Sequence, residues 1–473
     1  MMNSLTPRRL NFRLSARQRT LIAIVLVLLI VLGVSYGFFL EKRERVLRHL
    51  SARRVVTGRV EIPKWIARYG LDGYLPQRMF NQIDDVFIES DEDLIDLLAV
   101  NDLESARSLH LHTPAVTGRS LQELSDLNSL RMFSIDEVPV TGEVWVHLPG
   151  MPQLEIVELK NTSLPDKGVS RLLEATTLWV IVLNNVDVSE SSLVRLIRKP
   201  GLKELSLTQV PVTDAIINAI IETKTLESIY VGETSGTKLS AEKFRDLCDR
   251  PDLVSLGLRL ECDRLDISLF TEHPELKELY LPKFVCRNVD VPVLTRLPRL
   301  TRLEINAGEI VPEDIAALTD VQRLSVLRIH EPVLTTKLVE ELGALPALSN
   351  LSLYETNVDV AVAKTLREQA IPILKFQDVN FEADAFEVFV TKARLQQLAL
   401  IDLELSPEQL SALRGSYGIN DLFLMNVALT EEHLQVLGQL RHFPEMTLPA
   451  QGISRTRQEE FRKQLPRTNV TFY

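Results

Sequence analysis

Cysteine is nearly absent, with Cys248, Cys262 and Cys286 the only three in 473 residues. So few, and an odd number, exclude a disulfide framework and the paired-cysteine zinc motifs. Several chemical signatures are missing too. There is no glycine-rich phosphate loop, no dinucleotide-binding glycine pattern, no Gly-x-Ser-x-Gly turn and no His-Glu-x-x-His pair. The sequence therefore assigns no catalytic residue, no metal site and no cofactor, and the chain reads as a non-enzyme. Adjacent acids such as Asp84-Asp85 and Glu431-Glu432 read as solvated charge on turns and helix starts.

Acidic residues are scarce at one end. Residues 1–60 hold twelve Lys and Arg against Glu41 and Glu44, a local charge of +10. The whole chain carries -11, which leaves -21 for the remainder. An acidic body repels phosphate backbones, so nucleic acid is not an expected partner. A basic head suits anionic lipid headgroups.

Charge is missing altogether from Leu21 to Leu40, LIAIVLVLLIVLGVSYGFFL. Twenty apolar residues at 1.5 Å rise cross about 30 Å, the thickness of a bilayer core. The run is longer than a signal-peptide core, and no Ala-x-Ala-like site follows it. Residues 20–40 are thus expected to be a single transmembrane helix through which the chain engages the lipid bilayer. A basic tail, 1–19, precedes it. A basic juxtamembrane neck, 41–60, follows, with Glu41 to Arg54 expected to be helical, and then an N-terminal cap, 61–82, marked by Trp65, Tyr69, Tyr74 and Phe80. Counting Lys and Arg on both sides leans weakly towards a cytoplasmic repeat region. A short basic tail before a single anchor leans towards a repeat region outside the cytoplasm.

From residue 83 onward one pattern recurs: apolar, two variable, apolar, one variable, apolar. Leu154-x-x-Val157-x-Leu159, Leu202-x-x-Leu205-x-Leu207 and Leu348-x-x-Leu351-x-Leu353 are clear copies. First positions fall at 83, 106, 130, 154, 178, 202, 226, 253, 276, 300, 324, 348, 371, 395, 419, 443 and 467. The steps are 24 residues, apart from three of 23 and one of 27, so about seventeen repeats fill 83–473. Alternation at positions 4 and 6 predicts a short strand with one buried face. Segments such as Val212-Thr213-Asp214-Ala215-Ile216, Leu405-Ser406-Pro407-Glu408 and Leu429-Thr430-Glu431 then place a hydroxyl before acids and an apolar helical face. That is the signature of a capped helix start. One such unit cannot bury its apolar side alone, but a stack can. The 27-residue step contains the turn Gly232–Lys238, expected to bulge from one edge. The charged segment Ser454 to Gln464 suits a C-terminal cap with a polar outer face.

This L-x-x-L-x-L signature, with its Val-Thr-Asp helix start, resembles the leucine-rich-repeat proteins of the ribonuclease-inhibitor-like and cysteine-containing types. The layout of basic tail, membrane helix, Pro63-Lys64-Trp65 segment and repeats resembles the single-pass membrane-anchored repeat proteins of planctomycete bacteria. The resemblance implies an α/β solenoid, a horseshoe with a parallel concave sheet and a helical convex face, preceded by one transmembrane helix. It departs from this sequence at position 9. The Asn usual there is replaced by Thr162, Val186, Val210, Thr234, Thr356 and Val427, so no Asn ladder is expected to hold the turns. Some cytosolic relatives are substrate receptors of ubiquitin ligases, but no F-box-like segment lies between anchor and repeats. Cys262 and Cys286 stand at nearly the same place in adjacent repeats, and two buried thiols are expected rather than a bridge.

Function is therefore sought on a surface. Positions 3, 5 and 7 point away from the core. In the central repeats they carry Tyr230, Arg259, Tyr280, Arg302, Glu304, Arg328, His330 and Tyr354, with Glu278 beside them. Tyr and Arg are enriched at protein-interface hot spots. These eight residues are the expected binding site for a protein or peptide, with an envelope scaffold or spacer as the alternative role. Further on, the same positions carry Ile401, Phe423 and Met425. A row of Glu89, His112 and Asp136 has the spacing for a shared cation, but an ordinary polar sheet face explains it better.

Overall fold

The structure is a computed structural model. It describes residues 56–60, 81–98, 105–112, 129–138, 145, 152–232, 238–262, 267–285, 290–306, 310–382 and 384–473. The expected tail, transmembrane helix, helical neck and most of the cap fall outside these residues, as do the turn 233–237 and the side chains of Cys262 and Cys286. Among the described residues no helix is long and apolar enough to cross a membrane. The chain divides into two compact units, Met1–Leu178 and Trp179–Tyr473.

In the first unit, β1 (Val56–Val60) runs antiparallel to β2 (Asn81–Ile88). The strands β3 (Ser108–His112), β4 (Met132–Asp136) and β5 (Ile156–Ser163) follow β2 in parallel order. Strand β1 falls inside the stretch expected to be neck. It takes up the backbone groups on the outer edge of β2, which would otherwise be open to pairing with another chain. Beneath the sheet the buried Trp145 ring meets Phe133 edge to face at 6.1 Å.

The second unit is a run of parallel strands: β6 (Val180–Asp187), β7 (Glu204–Thr208), β8 (Ser228–Val231), β9 (Ser255–Leu258), β10 (Glu278–Val285) and β11 (Arg302–Asn306). It continues with β12 (Val326–His330), β13 (Asn350–Tyr354), β14 (Ile373–Gln377), β15 (Arg394–Ile401), β16 (Gly418–Met425), β17 (Glu445–Leu448) and β18 (Asn469–Phe472). Each pairs with the next in repeat register, as in Leu303 with Leu327 and Leu327 with Leu351. Positions 4 and 6 are the core: Leu205, Leu207, Leu327 and Ile329 are at most 2 % exposed. Burying such a side chain is worth about 1.5–3 kcal/mol. This is a leucine-rich-repeat-type α/β solenoid, with one helix or helical turn following most strands.

The helix starts follow the sequence reading. Ser189, Thr213, Ser240, Thr335, Ser406, Thr430 and Ser454 each accept a hydrogen bond from the backbone N–H three residues on, and Asp359 does the same. Where Val311 occupies the cap position it offers no acceptor. There Asp314 reaches back and accepts from the Val311 N–H at 3.1 Å. The C-terminal helix Arg455–Gln464 has a single buried residue, Phe461, as a solvated end cap requires.

The turns are held by donors other than a position-9 Asn. Position 8 adopts the left-handed conformation in Glu137, Asn161, Asn185, Gln209, Glu331, Glu355, Asp378, Asp402 and Asn426, with φ between 49° and 58°. This region is open to short polar residues at a modest cost. It aims the position-8 N–H at the position-7 carbonyl of the next repeat, as in Glu331 to Tyr354 and Asp402 to Met425 at 3.0 Å. At position 9, two threonines supply the side-chain donor that asparagine usually supplies. Thr162 donates to Val138 O at 2.8 Å and Thr356 to Pro332 O at 2.5 Å. These two turns are thereby tied to the preceding repeat without the usual Asn. Position 2 is a second ladder: the Lys277, Thr301 and Ser325 carbonyls each accept two backbone N–H groups from the repeat that follows.

The long repeat is pinned from inside. Arg250 is 4 % exposed and donates to Ile220 O, Thr223 O and Leu226 O, carbonyls at and just beyond the C-terminal end of the helix Asp214–Glu222. Burial lowers its pKa to about 10, still well above neutrality.

Candidate functional site

Parallel register places every position-5 side chain beside the next, on the sheet face away from the core. The row reads Tyr230, Gly257, Tyr280, Glu304, Arg328, Ser352, Lys375, Ala399, Phe423. Strands lie about 4.8 Å apart, so large residues fit only where a neighbour is small or paired. Gly257 shows the constraint, because a Cβ there would run into the Tyr230 ring. Ser352 and Ala399 are the other small steps, each 2 % exposed beneath longer neighbours.

Seven of the eight expected binding residues are joined in one network around two carboxylates. Glu304 Oε1 accepts from Arg259 Nη2 and shares a hydrogen bond with His330 Nε2, both at 2.9 Å. Its Oε2 accepts from Arg328 Nη1 at 3.2 Å. Glu278 pairs with Arg302 and accepts from Tyr280 Oη at 3.0 Å and Ser255 Oγ at 3.3 Å. The Arg328 guanidinium lies 5.3 Å from the Tyr280 ring centroid, in cation–π range. His330 stacks on Tyr354 at 4.3 Å. The Tyr230 ring lies over Gly257.

One expectation changes. Glu304 and His330 do point away from the core, but Glu304 is 1 % exposed and His330 8 %. The side chains of Arg259, Arg328 and Tyr354 crowd over them. What solvent meets is the aromatic and guanidinium layer, with the carboxylate as its anchor.

The electrostatics agree with the geometry. Burial pushes the Glu304 carboxyl up. The hydrogen bond from His330 and the charges of Arg259, His330 and Arg328 outweigh it, and hold the carboxyl below its ordinary value. Tyr280 is pushed up to about 12 by burial and by the Glu278 carboxylate. Burial acts on Tyr354 in the same direction. Neither phenol ionises near neutrality, and His330 is already bonded to Glu304. The group is suited to holding a shape and a potential. It has no evident free nucleophile or base to offer a substrate.

The possible cation row of the first unit is otherwise engaged. Asp136 accepts from Lys160 Nζ at 3.1 Å and from Asn161 Nδ2 at 3.2 Å. His112 lies parallel to His110 with ring centroids 6.3 Å apart, and His110 stacks on Phe87 at 4.5 Å. Among the described residues no group of three His, Cys, Asp or Glu is disposed to hold a metal ion.

The residue that sequence reading passed over is Lys375, two strands beyond Arg328 in the same row. Its signal was available: position 5 of a central repeat, a cation, and a serine before it. A separate groove of about 670 Å³ lies where β14, β15 and β16 begin, with Arg367, Lys392 and Arg394 in its wall.

No protein-family model matches this chain, and no curated protein matches it. Solved structures do. An internalin from Listeria monocytogenes is 17% identical over 75% of this chain and 88% of its own, with a TM-score of 0.29. A leucine-rich-repeat protein from Leptospira interrogans is 17% identical over 79% and 92%, with a TM-score of 0.33. TLR13, in complex with a single-stranded RNA, is 15% identical over 83% and 58%, with a TM-score of 0.38. The repeat architecture stated above rests on strand register and core pattern, independently of these likenesses.

Proposed function

We propose that this chain is a single-pass, membrane-anchored interaction module that binds a protein or peptide partner on the open, concave face of its repeats. The observation that carries the reading is the Glu304 network. It fixes Tyr280, Arg328 and Tyr354 in place before any partner arrives. Preorganised aromatic and guanidinium groups lose little entropy on binding, which is what interface hot spots require. In this reading the repeats lie outside the cytoplasm, residues 20–40 hold them at the bilayer, and the module carries no enzymatic activity of its own.

Site-specific photo-crosslinking in native membranes tests it. A photoreactive residue at Tyr280 or Tyr354 is expected to capture a defined partner, and one at exposed Lys364, on the helix Val360–Glu368, is expected to capture none. Capture from Lys364 alone favours the scaffold role, with contacts made by the helices. Protease accessibility in intact cells decides the sidedness, and digestion of the repeats only after lysis overturns the extracytoplasmic placement.

A further inference from the structure

The open face of the second unit changes character along its length. Up to β11 its cations are matched: Arg302 by Glu278, and Arg259 by Glu304. Beyond β11 the balance fails. Arg328 spends Nη1 on Glu304, a carboxylate it shares with Arg259 and His330. Lys375 has no carboxylate partner among the described residues, and only Ser352 separates it from Arg328 in the row. Burial, then the Arg328 charge, lowers the Lys375 pKa, as expected for cations held close without an anion between them. Beyond Lys375, positions 5 and 7 of the face turn apolar, while position 3 carries Gln397 hydrogen-bonded to Asp421. Ala399, Ile401, Phe423 and Met425 follow on β15 and β16, and the Tyr473 ring is stacked parallel to Phe423 at 6.1 Å. An excess of positive charge in a chain of net charge -11 is thus set directly beside an apolar strip.

We infer that this stretch is a two-part docking site for an extended acidic peptide segment of a partner protein, with a carboxylate over Arg328 and Lys375 and a bulky apolar side chain on Phe423 and Met425. The inference rests on the open face being the binding surface and specifies what that surface selects. Spacing sets the motif. Lys375 and Phe423 are two strands apart, about 10 Å. An extended peptide crossing the strands advances about 3.3 Å per residue. Side chains of an extended peptide alternate faces, so the acid and the apolar residue that both meet this surface stand two or four positions apart. Charge complementarity brings the acidic segment in, and the apolar contact slows its departure.

The test is selection of phage-displayed random dodecapeptides on the full-length chain in detergent micelles. The expected result is enrichment of an Asp or Glu two or four positions from Leu, Ile, Phe or Met. Affinity of the selected peptides falls at least tenfold with Lys375→Glu and with Phe423→Ser, and weakens with added salt. Replacing the peptide acid with Lys restores binding to the Lys375→Glu variant, which a merely misfolded variant would not show. Lys375→Gln is the milder substitution, expected to keep the circular dichroism spectrum while losing most of the affinity. Selections that yield no acidic–apolar spacing overturn the inference, as does binding indifferent to Lys375. If the selected peptides lack that spacing yet lose affinity with Tyr280→Ala, the open-face reading stands and this specificity fails. If they respond to neither Tyr280 nor Lys375, both fail.

Discussion

The two units present the same strand register on their open faces and fill it in opposite ways. In the first, His110 and His112 stack on each other and on Phe87, and nearby charge is settled at the surface by Lys160 and Asp136. In the second, a carboxylate 1 % exposed holds two guanidiniums and an imidazole. A stack of rings tolerates the loss of one member. A buried ion cluster does not, because each removal leaves charges desolvated without a counterpart.

Removing the anchor should therefore have the largest effect. Glu304→Ala is expected to cost the second unit about 3–5 kcal/mol, the usual loss when one partner of a buried pair is deleted. Urea unfolding, read alongside amide exchange in β11 and β12, measures it. A loss below about 1 kcal/mol would erase the contrast between the two faces.

Next in size is steric. Gly257→Ala forces the Tyr230 ring from its seat and is expected to cost about 1–3 kcal/mol by overpacking. The unfolding midpoint reports it. An unchanged midpoint would mean that the ring moves aside freely and is not part of the fixed surface.

Thr356→Val removes a buried hydroxyl from the turn ladder and leaves Pro332 O without that donor, at about 1 kcal/mol. Thr162→Val does the same to the first unit, where the hydroxyl is less buried, and should cost less. Equal losses in thermal unfolding would show that burial does not set the difference.

Acid separates the units with the smallest perturbation. Burial, then the neighbouring His112, lowers the His110 pKa, against the pull of Asp85. The folded first unit resists a proton that the unfolded chain accepts near 6.5, so stability at this site is lost as pH falls from about that value. The Glu304 carboxyl is held below 4.5, so its contribution persists above 4.5 and is lost only as pH falls further. Protease sensitivity should rise first around β3 and later around β11. The reverse order, or a single shared transition, would contradict this account of the two faces.

Much of this was legible in the sequence. Apolar spacing located each strand from Ile83 onward, and Ser or Thr before acids located the helix starts, because both are periodic and local. The left-handed position 8 is marked only by Asn161, Asn185, Asp378, Asp402 and Asn426, and Glu137, Gln209, Glu331 and Glu355 at the same position blur that signal. The site was half legible. Its residues could be named from alternation, but the burial of Glu304 depends on Arg259, 45 residues away, reaching past a whole strand. Such a contact leaves no trace in a 24-residue pattern. Lys375 was overlooked for a related reason: a cation's lack of a partner becomes visible only when the neighbouring strands are in place.

That long reach has a mechanical consequence. A stack held by nearest neighbours gives way one turn at a time when its ends are pulled, each turn releasing about 24 residues, or roughly 80 Å of chain. The Arg259–Glu304 pair skips β10, and Arg328 and His330 bind the same carboxylate from β12. Three turns are thereby tied to a single carboxylate, with the β10 turn enclosed between them. Under load they should let go together, as one long step among short ones.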